Sequence, residues 1–391
     1  MPNIKEVTIN GKKRYRMTIT LGYEPGKNGL KVQKRKDFYG KTKKEVEKKY
    51  QEFQKKQNLN LDDSTQYFGI MADRWIYNFL IQDTSLKETT IGLYVETWNK
   101  YVKPSELYHQ SINRISAGVI QNFYNKLFKD GCPSSAIKTI NKVMSRYYNY
   151  LVQNAFAPYN FTNTLSIPTK KKEGEMEITT WTDIELDSIL HGFDKAQDGF
   201  RLRFLIVMAT YTGMRISELL GLKYEDIKRT ESGYIVKVCR QVQNVPHFET
   251  DGTKTRSLES ASLKSASSYR SIPLNSIVVS EFKIHRAWHK EEQMKRVYRT
   301  DYIFTTNTGG LLDKKNADTS CQRYYKTIGV EPKGFHTYRH TFGTNLYKKG
   351  VPLITASNLL GHSDISVTAK YYIDTPEDAK RNAIELLANI V

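Results

Sequence analysis

The N-terminal part of the chain alternates apolar and polar residues with a period of two, which predicts half-buried β-strands. Residues 15–21 (Tyr-Arg-Met-Thr-Ile-Thr-Leu) follow this pattern, and residues 30–39 follow it after a turn-forming Glu-Pro-Gly-Lys-Asn-Gly run. Thr42 and Glu45 then have the spacing of a capping box, which predicts a helix to about Lys56. We therefore expect a small three-stranded sheet plus one helix.

A polar stretch at residues 58–65 separates this sheet from a region in which apolar residues recur every three or four positions, as in amphipathic helices. The spacing predicts four helices, at residues 67–79, 89–101, 119–128 and 134–153. An aromatic stripe near the end of the last helix is interpreted as core rather than as a platform for stacking bases; it comprises Tyr147, Tyr148, Tyr150 and Phe156. This region is predicted to be an all-α module.

The clearest linker in the chain is at residues 167–174, where a proline is followed by Thr, three Lys, Glu and Gly. Beyond it, Thr182 and Glu185 form a second capping box. With 391 residues, the chain is long enough for two or three domains that each bury a core. The patterns place three domains at residues 1–58, 65–163 and 175–391.

The third domain is predicted to be mainly α-helical with a small antiparallel sheet. A strongly apolar helix at residues 203–211 ends at a Thr-Gly break, and a new helix then opens at Arg215. Backbone N–H groups at such a helix N-terminus favour an anion. Strand-like runs at residues 234–242 and 269–274 flank a segment rich in Ser and Lys, which we interpret as flexible.

Charge is the strongest feature of the composition. The net charge is +19 and the pI is near 9.5, which indicates a polyanionic partner. Residues 1–60 hold 17 Lys and Arg against 6 Asp and Glu, a net charge of +11. We therefore expect DNA contacts from basic residues of the sheet and from one face of the fourth helix, namely Lys12, Lys13, Arg14, Arg16, Lys34, Arg35, Lys36, Lys138, Lys142 and Arg146.

Other classes of protein are disfavoured. No apolar run approaches the ~20 residues of a membrane span, and the N-terminus has no signal-peptide core. The three cysteines are far apart and odd in number, which disfavours a disulfide framework or a Cys-x-x-Cys metal site. We expect a soluble protein of a reducing compartment, with no membrane partner.

Candidate chemistry is concentrated near residues 336–340, His-Thr-Tyr-Arg-His. On a helix, His336, Arg339 and His340 would share one face. They would place a fixed cation beside two groups that exchange protons near neutral pH, and His362 and a tyrosine follow. This set suits a phosphodiester better than a carbonyl. Taken alone, however, the motif is also typical of an ordinary surface helix.

The order of motifs in the third domain resembles that of the tyrosine recombinases, the integrase family of phages and integrative elements. The matching motifs are TGMRISEL at 212–219, Lys264 before IPL at 272–274, HTYRH at 336–340, LGHS at 360–363 and a closing tyrosine. The helical module resembles the family's core-binding domain, and the basic sheet its arm-binding domain. The three-part layout is similar to integrases of mobile elements in Gram-positive bacteria.

The resemblance implies a role for each matching residue. Arg215 and Arg339 match the two arginines that clamp the non-bridging oxygens of the scissile phosphate. Lys264 matches the lysine that acts as general acid on the departing 5′-oxygen. Lys254 lies in a similar setting but is farther from the IPL motif.

The remaining matches concern histidines and one acid. His336 matches a proton acceptor or phosphate ligand, and His362 matches a residue that hydrogen-bonds the phosphate. Glu218 matches an acidic position that helps to hold the first arginine. His340 is expected to be either structural or catalytic.

Two adjacent tyrosines compete for the role of nucleophile. Tyr371 lies nine residues after His362 and follows Lys370, whereas Tyr372 lies ten residues after it. We predict Tyr371, with Tyr372 as the alternative. The tail at residues 379–391 is predicted to be a helix with an apolar stripe, of the kind that docks on a neighbouring subunit in this family.

The resemblance implies transesterification through a 3′-phosphotyrosyl intermediate, without metal, nucleotide or other cofactor. It also implies double-stranded DNA at core and arm sites, a homotetramer on two synapsed sites, an excisionase, a DNA-bending host factor and the cytoplasm of a bacterial host. Three alternatives remain open from the residues. They are a metal-dependent nuclease that uses His336, His340 and His362, a DNA-binding regulator with a degenerate site, and a type IB topoisomerase.

Overall fold

The computed structural model describes residues 4–9, 12–25, 31–58, 67–170, 178–193, 199–248, 253–263 and 265–369. The predictions for Lys264, Tyr371, Tyr372 and the tail at 379–391 fall outside these residues. The chain forms two compact units. One holds residues 1–171 with 248–253, and the other holds residues 172–247 with 254–391.

The predicted N-terminal sheet and helix are confirmed. Three antiparallel strands pair in chain order, namely β1 (Ile4–Ile9), β2 (Lys12–Pro25) and β3 (Lys31–Gly40). Helix α1 (Lys43–Asn58) covers one face, and Met17, Phe38 and Val46 are the buried residues between them. Thr42 Oγ1 accepts the Glu45 N–H at 3.2 Å, as a capping residue should.

The helical module contains the four predicted helices. They are α2 (Phe68–Trp75), α3 (Glu88–Thr97), α4 (Ala117–Lys129) and α5 (Ser134–Gln153). The first two continue into single π-helical turns at Ile76–Leu80 and Trp98–Val102, which the apolar spacing did not predict. Tyr147 and Tyr148 are fully buried, and this confirms their predicted place in the core. The Tyr147 hydroxyl donates to the Phe68 carbonyl at 3.2 Å.

The second unit is mainly helical. Its helices are α6 (Asp183–His191), α7 (Gly199–Thr212), α8 (Ile216–Leu220), α9 (Ser276–Arg296), α10 (Lys314–Thr327), α11 (His336–Lys348), α12 (Leu353–Leu360) and α13 (Ile365–Ala369). The α7 helix is apolar along most of its length because α9 and α11 both pack against it. The Thr182 capping box at the start of α6 is confirmed.

Two small sheets complete the second unit. Strands β4 (Ile227–Thr230), β5 (Gly233–Val238) and β8 (Arg270–Leu274) form an antiparallel sheet in the order β4-β5-β8, and β6 (Arg240–Phe248) pairs with β7 (Lys254–Ser262). The single strand predicted at 234–242 is thus two strands of different sheets. The Ser/Lys-rich segment, predicted to be flexible, is largely the strand β7. Its side chains are exposed or half-buried, so it lacks the apolar alternation that marks a half-buried strand.

No helix among the described residues is long and apolar enough to cross a membrane.

Candidate active site

Helix α11 carries the first group of predicted site residues. It begins at His336, and the His336 and His340 rings lie with their centroids 4.7 Å apart and nearly perpendicular, which confirms that they share a face. Arg339, in contrast, is buried, with 2% of its surface exposed. Its Nη1 donates to the Gly213 carbonyl at 2.9 Å and its Nη2 to the Leu360 carbonyl at 2.7 Å. Two backbone carbonyls thus fix the guanidinium plane.

Arg215 occupies the N-cap of α8, as predicted for a residue at a helix N-terminus. Its N–H donates to Glu218 Oε2 at 2.9 Å, and its Nη1 donates to Glu218 Oε1 at 2.8 Å. The Glu218 side chain is 1% exposed, whereas that of Arg215 is 35% exposed. The structure therefore brings Glu218 to Arg215, and Arg215 keeps part of its guanidinium at the surface.

Gly213 connects the two arginines through the backbone. Its φ of +59° is a left-handed conformation that favours glycine. A Cβ at this position would lie 2.4 Å from Cδ1 of Phe342 on α11. The turn can therefore bring its carbonyl to Arg339, and place Arg215 two residues later, only because residue 213 has no side chain.

The C-terminus of α12 is where the arginines meet. A helix end leaves its last carbonyls without intrahelical partners and carries a partial negative charge. The helix ends at Leu360 and is capped by Gly361, which has a φ of +67°. The three last carbonyls accept bonds from three different arginines: Leu359 from Arg270 Nε at 2.7 Å, Leu360 from Arg339 Nη2 at 2.7 Å, and Gly361 from Arg215 Nη2 at 3.4 Å.

His362 follows this helix end directly. Its Nδ1 lies 2.7 Å from Oγ1 of Thr368 on α13. Burial, and then the charges of Arg339 and Arg215, lower the pKa of His362 to about 4. The ring is therefore neutral at pH 7, and a neutral imidazole can either donate or accept a hydrogen bond.

His336 shows the same effect although its side chain is exposed. Loss of solvent on its protein side, then His340 and Arg339, lower the pKa of His336 to about 4. Burial and Arg339 also lower the pKa of His340. The site thus combines arginines that stay charged with histidines that are neutral at pH 7, which is a set suited to bind a phosphate and to accept a proton beside it.

Arg270 is a site residue that the sequence pattern did not single out. Its side chain is 6% exposed, and its Nη2 donates to Glu218 Oε2 at 2.8 Å. It lies opposite the buried Val238 on the neighbouring strand, two residues before the buried Ile272. An arginine on the core side of a half-buried strand needs a buried partner. Its position in the strand could therefore have identified Arg270 from the sequence.

Only some of the other predicted residues lie within the described part of the chain. Lys264 lies between the described Leu263 and Ser265, and the described chain ends at Ala369, just before the tyrosines. Lys254 is at the exposed start of β7. Within the described ranges, His, Cys, Asp and Glu side chains form no group of three that could hold a metal ion.

The predicted DNA contacts of the N-terminal sheet divide between its two faces. Strand alternation places Arg14 and Arg16 on the outer face of the sheet, which is the face away from the buried Met17. Arg35 pairs with Thr20 and therefore lies on the same outer face. Lys36 lies on the α1 side, with its Nζ 4.4 Å from the Phe53 ring centroid.

Lys13 also lies on the α1 side, where it pairs with Glu6 at 2.9 Å, and Lys12 belongs by register to the outer face. The side chain of Lys34 falls outside the described part of the chain. On α5, Lys138 and Lys142 are exposed as predicted. Arg146 is half-buried and pairs with Asp83 at 3.3 Å.

Known proteins are similar to this chain in sequence and in fold. The model of the phage integrase family matches residues 180–378. A tyrosine recombinase XerC-like protein of Caldanaerobacter subterraneus subsp. tengcongensis is 35% identical across 97% of this chain and 97% of its own length. An integrase of Staphylococcus phage L54a is 24% identical across 86% of this chain and 98% of its own length.

Solved structures with a similar fold include the Tn1549 transposon integrase in complex with a circular intermediate DNA, with a TM-score of 0.62, 19% identity and coverage of 80% of this chain and 98% of that one. The XerH site-specific recombinase bound to a palindromic difH substrate has a TM-score of 0.56 at 19% identity, over 75% of this chain and 79% of that one. The family model and the full-length relative both indicate the tyrosine recombinases. The chain belongs to the phage integrase family of tyrosine recombinases, enzymes that break and rejoin DNA strands.

Proposed function

We propose that this chain integrates and excises a mobile element by cutting and rejoining double-stranded DNA at specific sites, through a 3′-phosphotyrosyl intermediate. The observation that supports this best is the fixed arrangement of Arg215 and Arg339 at the end of α12, next to His336 and His362. A phosphodiester gains negative charge on its non-bridging oxygens as a nucleophile adds to phosphorus. Pre-oriented guanidinium groups stabilise that change at little reorganisation cost.

The two arginines contribute differently. Arg339 is buried and anchored by two carbonyls, which occupy one N–H of each terminal nitrogen, so its remaining N–H groups are held in fixed directions for one phosphate oxygen. Arg215 is more exposed and is oriented by Glu218, so it contacts the phosphate from the solvent side. His362, neutral and held by Thr368, adds a hydrogen bond to the same phosphate.

The reaction then proceeds in two balanced steps. The hydroxyl oxygen of Tyr371, or of its alternative Tyr372, bonds to phosphorus, and the bond from phosphorus to the 5′-oxygen breaks. Lys264 gives a proton to this 5′-oxygen, and His336 accepts the tyrosine proton, which its pKa of about 4 allows because the ring is neutral at pH 7. In the second step a 5′-hydroxyl from the second duplex bonds to phosphorus and gives its proton to Lys264. The bond from phosphorus to the tyrosine oxygen breaks, and His336 returns its proton to that oxygen. Bond energy is conserved, so no nucleotide is consumed.

Recognition of DNA belongs to the first unit in this proposal. The outer face of the N-terminal sheet offers Lys12, Arg14 and Arg35 to an arm site, together with Arg16, which is also paired with Asp37 at 2.8 Å. Helix α5 offers Lys138 and Lys142 to a core site. The likeness to an integrase bound to a circular intermediate DNA supports the assignment to a mobile element. We infer a homotetramer on two synapsed sites in the cytoplasm of a bacterial host, assisted by an excisionase and a DNA-bending host factor.

A nicked duplex tests the proposal. The duplex carries the sequence repeated at the two ends of the proposed mobile element, with a nick a few nucleotides beyond the scissile phosphate, so that the released 5′-hydroxyl fragment diffuses away. We expect a covalent protein–DNA adduct that survives SDS and forms equally well in EDTA. Tyr371→Phe should bind the duplex and form no adduct, whereas Tyr372→Phe, its matched control, should form it.

Three results would contradict parts of this proposal. An adduct that forms with Tyr371→Phe and not with Tyr372→Phe assigns the nucleophile to Tyr372. Cleavage that requires a divalent metal contradicts the tyrosine mechanism. Relaxation of supercoiled DNA without any flanking repeat, at the rate seen with the repeat, contradicts site specificity and favours the topoisomerase alternative.

A further inference from the structure

We propose that Arg270 is a positioning residue for strand cleavage: it neutralises Glu218, so that the charge of Arg215 stays available to the scissile phosphate. This inference rests on the proposed function. It concerns a residue that would not touch the DNA itself, because its guanidinium is held by protein groups on several sides.

Several hydrogen bonds hold the Arg270 guanidinium in a fixed position beside Glu218. Nη2 and Nη1 donate to the two carboxylate oxygens of Glu218 at 2.8 and 3.3 Å, which is a fork-to-fork arrangement. Nε donates to the Leu359 carbonyl at 2.7 Å, and Nη1 also donates to the Ser268 carbonyl at 3.0 Å. A Cβ on Gly361 would lie 2.9 Å from Nη1, so the backbone of α12 packs closely against this guanidinium.

Charge explains why this contact matters for Arg215. A buried carboxylate with a single arginine partner would form a neutral pair, and that arginine would have little net charge left for a substrate. Glu218 has two arginine partners, which leaves a net charge of +1 for the triad. Arg270 is the more buried of the two, with 6% exposure against 35% for Arg215.

The ionisation of Glu218 is consistent with this division. Burial acts to raise the pKa of the Glu218 carboxyl, but bonds and attraction from Arg270, followed by those from Arg215, hold it below its ordinary value. Arg270 is thus the main counter-ion of the carboxylate. Arg215 completes the pairing with one guanidinium nitrogen and its backbone N–H.

Arg270 also connects the segment that follows Lys264 to the rest of the site. Ser268, whose carbonyl it binds, lies four residues after Lys264, and Leu359 lies at the end of α12. Its loss would therefore change both the charge beside Arg215 and the support of the lysine segment. The experiment must separate these two effects from a general loss of packing.

A charge-sensitive substrate makes this separation. The nicked duplex is prepared with either an ordinary phosphate or a neutral methylphosphonate at the scissile position, and the rate of adduct formation is measured for the wild type and Arg270→Gln. On the phosphate we expect Arg270→Gln to slow the reaction about 100-fold, the typical effect of losing one preorganised charge-stabilising group. The methylphosphonate is neutral and gains less negative charge in the transition state than a phosphate has there. On this substrate we therefore expect Arg270→Gln to slow adduct formation by less than about tenfold. Affinity for the duplex should not change.

Two further variants strengthen the test. Glu218→Gln combined with Arg270→Gln restores the net charge that Arg215 presents, so the double variant should react about tenfold faster than Arg270→Gln alone. Arg270→Lys keeps the positive charge but loses the two-pronged contact with Glu218. Its rate of adduct formation should therefore lie between those of Arg270→Gln and the wild type. Circular dichroism and thermal unfolding establish that each variant is folded. If Arg270→Gln is not folded, the comparison of substrates is made with Arg270→Lys and the double variant.

Equal losses on the two substrates, or a double variant no faster than Arg270→Gln, would overturn the role of Arg270 and leave only a structural ion pair. Failure of the wild type to form any adduct is a different result. It would contradict the proposed function itself, whereas a normal wild-type adduct with equal losses contradicts the role of Arg270 alone.

Discussion

The active-site arginines and the basic residues of the N-terminal sheet use the same charged group in opposite ways. Arg339 and Arg270 are buried, and backbone carbonyls fix their guanidinium planes. On the sheet, Arg14 and Arg35 lie on an outer face among other cations. A fixed guanidinium stabilises charge at one point, whereas cations on an open face attract a polyanion over a surface. Under the proposed function, burial and backbone contacts rather than residue type distinguish the arginines that act on the scissile phosphate from the cations that attract DNA.

The largest effect should come from replacing a fixed guanidinium with a mobile cation. Arg339→Lys keeps the charge but cannot bond the Gly213 and Leu360 carbonyls together, so adduct formation should fall by about 10³-fold. Arg14→Lys, the matched control on the sheet, should change the rate less than about threefold because a phosphate contact on an open face needs only charge. Similar losses in the two variants would remove the distinction between the regions.

The backbone that supports the arginines should be nearly as sensitive. Gly213→Ala adds strain at a φ of +59° and a Cβ 2.4 Å from the Phe342 ring, so the free energy of unfolding should fall by about 2–4 kcal/mol. Gly329 is the matched control, since its φ is +76° and a Cβ added there would have no atom within 4 Å, and Gly329→Ala should cost about 1 kcal/mol. Urea unfolding of both variants measures the difference. Equal costs would show that strain alone, and not the contact with α11, acts at Gly213.

The histidines should make the active-site region sensitive to acid. The folded pKa of His336 and of His362, about 4, lies below the ordinary value of 6.5, so the unfolded chain binds more protons between these values. Stability should therefore decrease as the pH falls from 6.5 towards 4, and the cleavage rate should fall as the rings become charged. Thermal unfolding between pH 7.5 and 4.5 measures the first effect. His362→Gln should weaken the dependence, and an unchanged profile would contradict the assignment of the shift to this ring.

The smallest effect should be on the sheet, where adjacent residues provide the control. Arg14 lies on the outer face and Lys13 on the α1 side, paired with Glu6. If the outer face contacts phosphates, Arg14→Gln should reduce the slope of log affinity against log salt by about 0.9 and Lys13→Gln should leave it unchanged. Filter binding of arm-site DNA at several salt concentrations measures both slopes. The opposite result would assign the DNA to the α1 side.

Local periodicity predicted much of the fold. The bounds of α5 agree with the prediction, and the Thr182 capping box starts α6 as expected. Strand β7 was missed because its exposed and half-buried side chains show no apolar alternation. The π-helical turns were missed because one extra residue per turn barely changes the spacing.

The candidate site was predicted from motifs, and its missing members are those that act through tertiary contacts. Arg215, Glu218 and Arg339 stand in recognisable strings of residues, and the structure brings them together. Arg270 could not be placed from its neighbours, since its partners Glu218 and Leu359 are 52 and 89 residues away in sequence. The burial of Arg339 was also unexpected, because helix geometry gives its face and not the depth of the surrounding groups.

The end of α12 makes the arginine cluster cooperative. Three consecutive carbonyls, of Leu359, Leu360 and Gly361, each hold one guanidinium, and His362 comes next in the chain. Hydrogen bonds weaken when they lengthen, so a displacement of this helix end would change one contact of each of the three arginines together. The three guanidinium groups and His362 therefore share one support, so their relative positions depend on the same helix end.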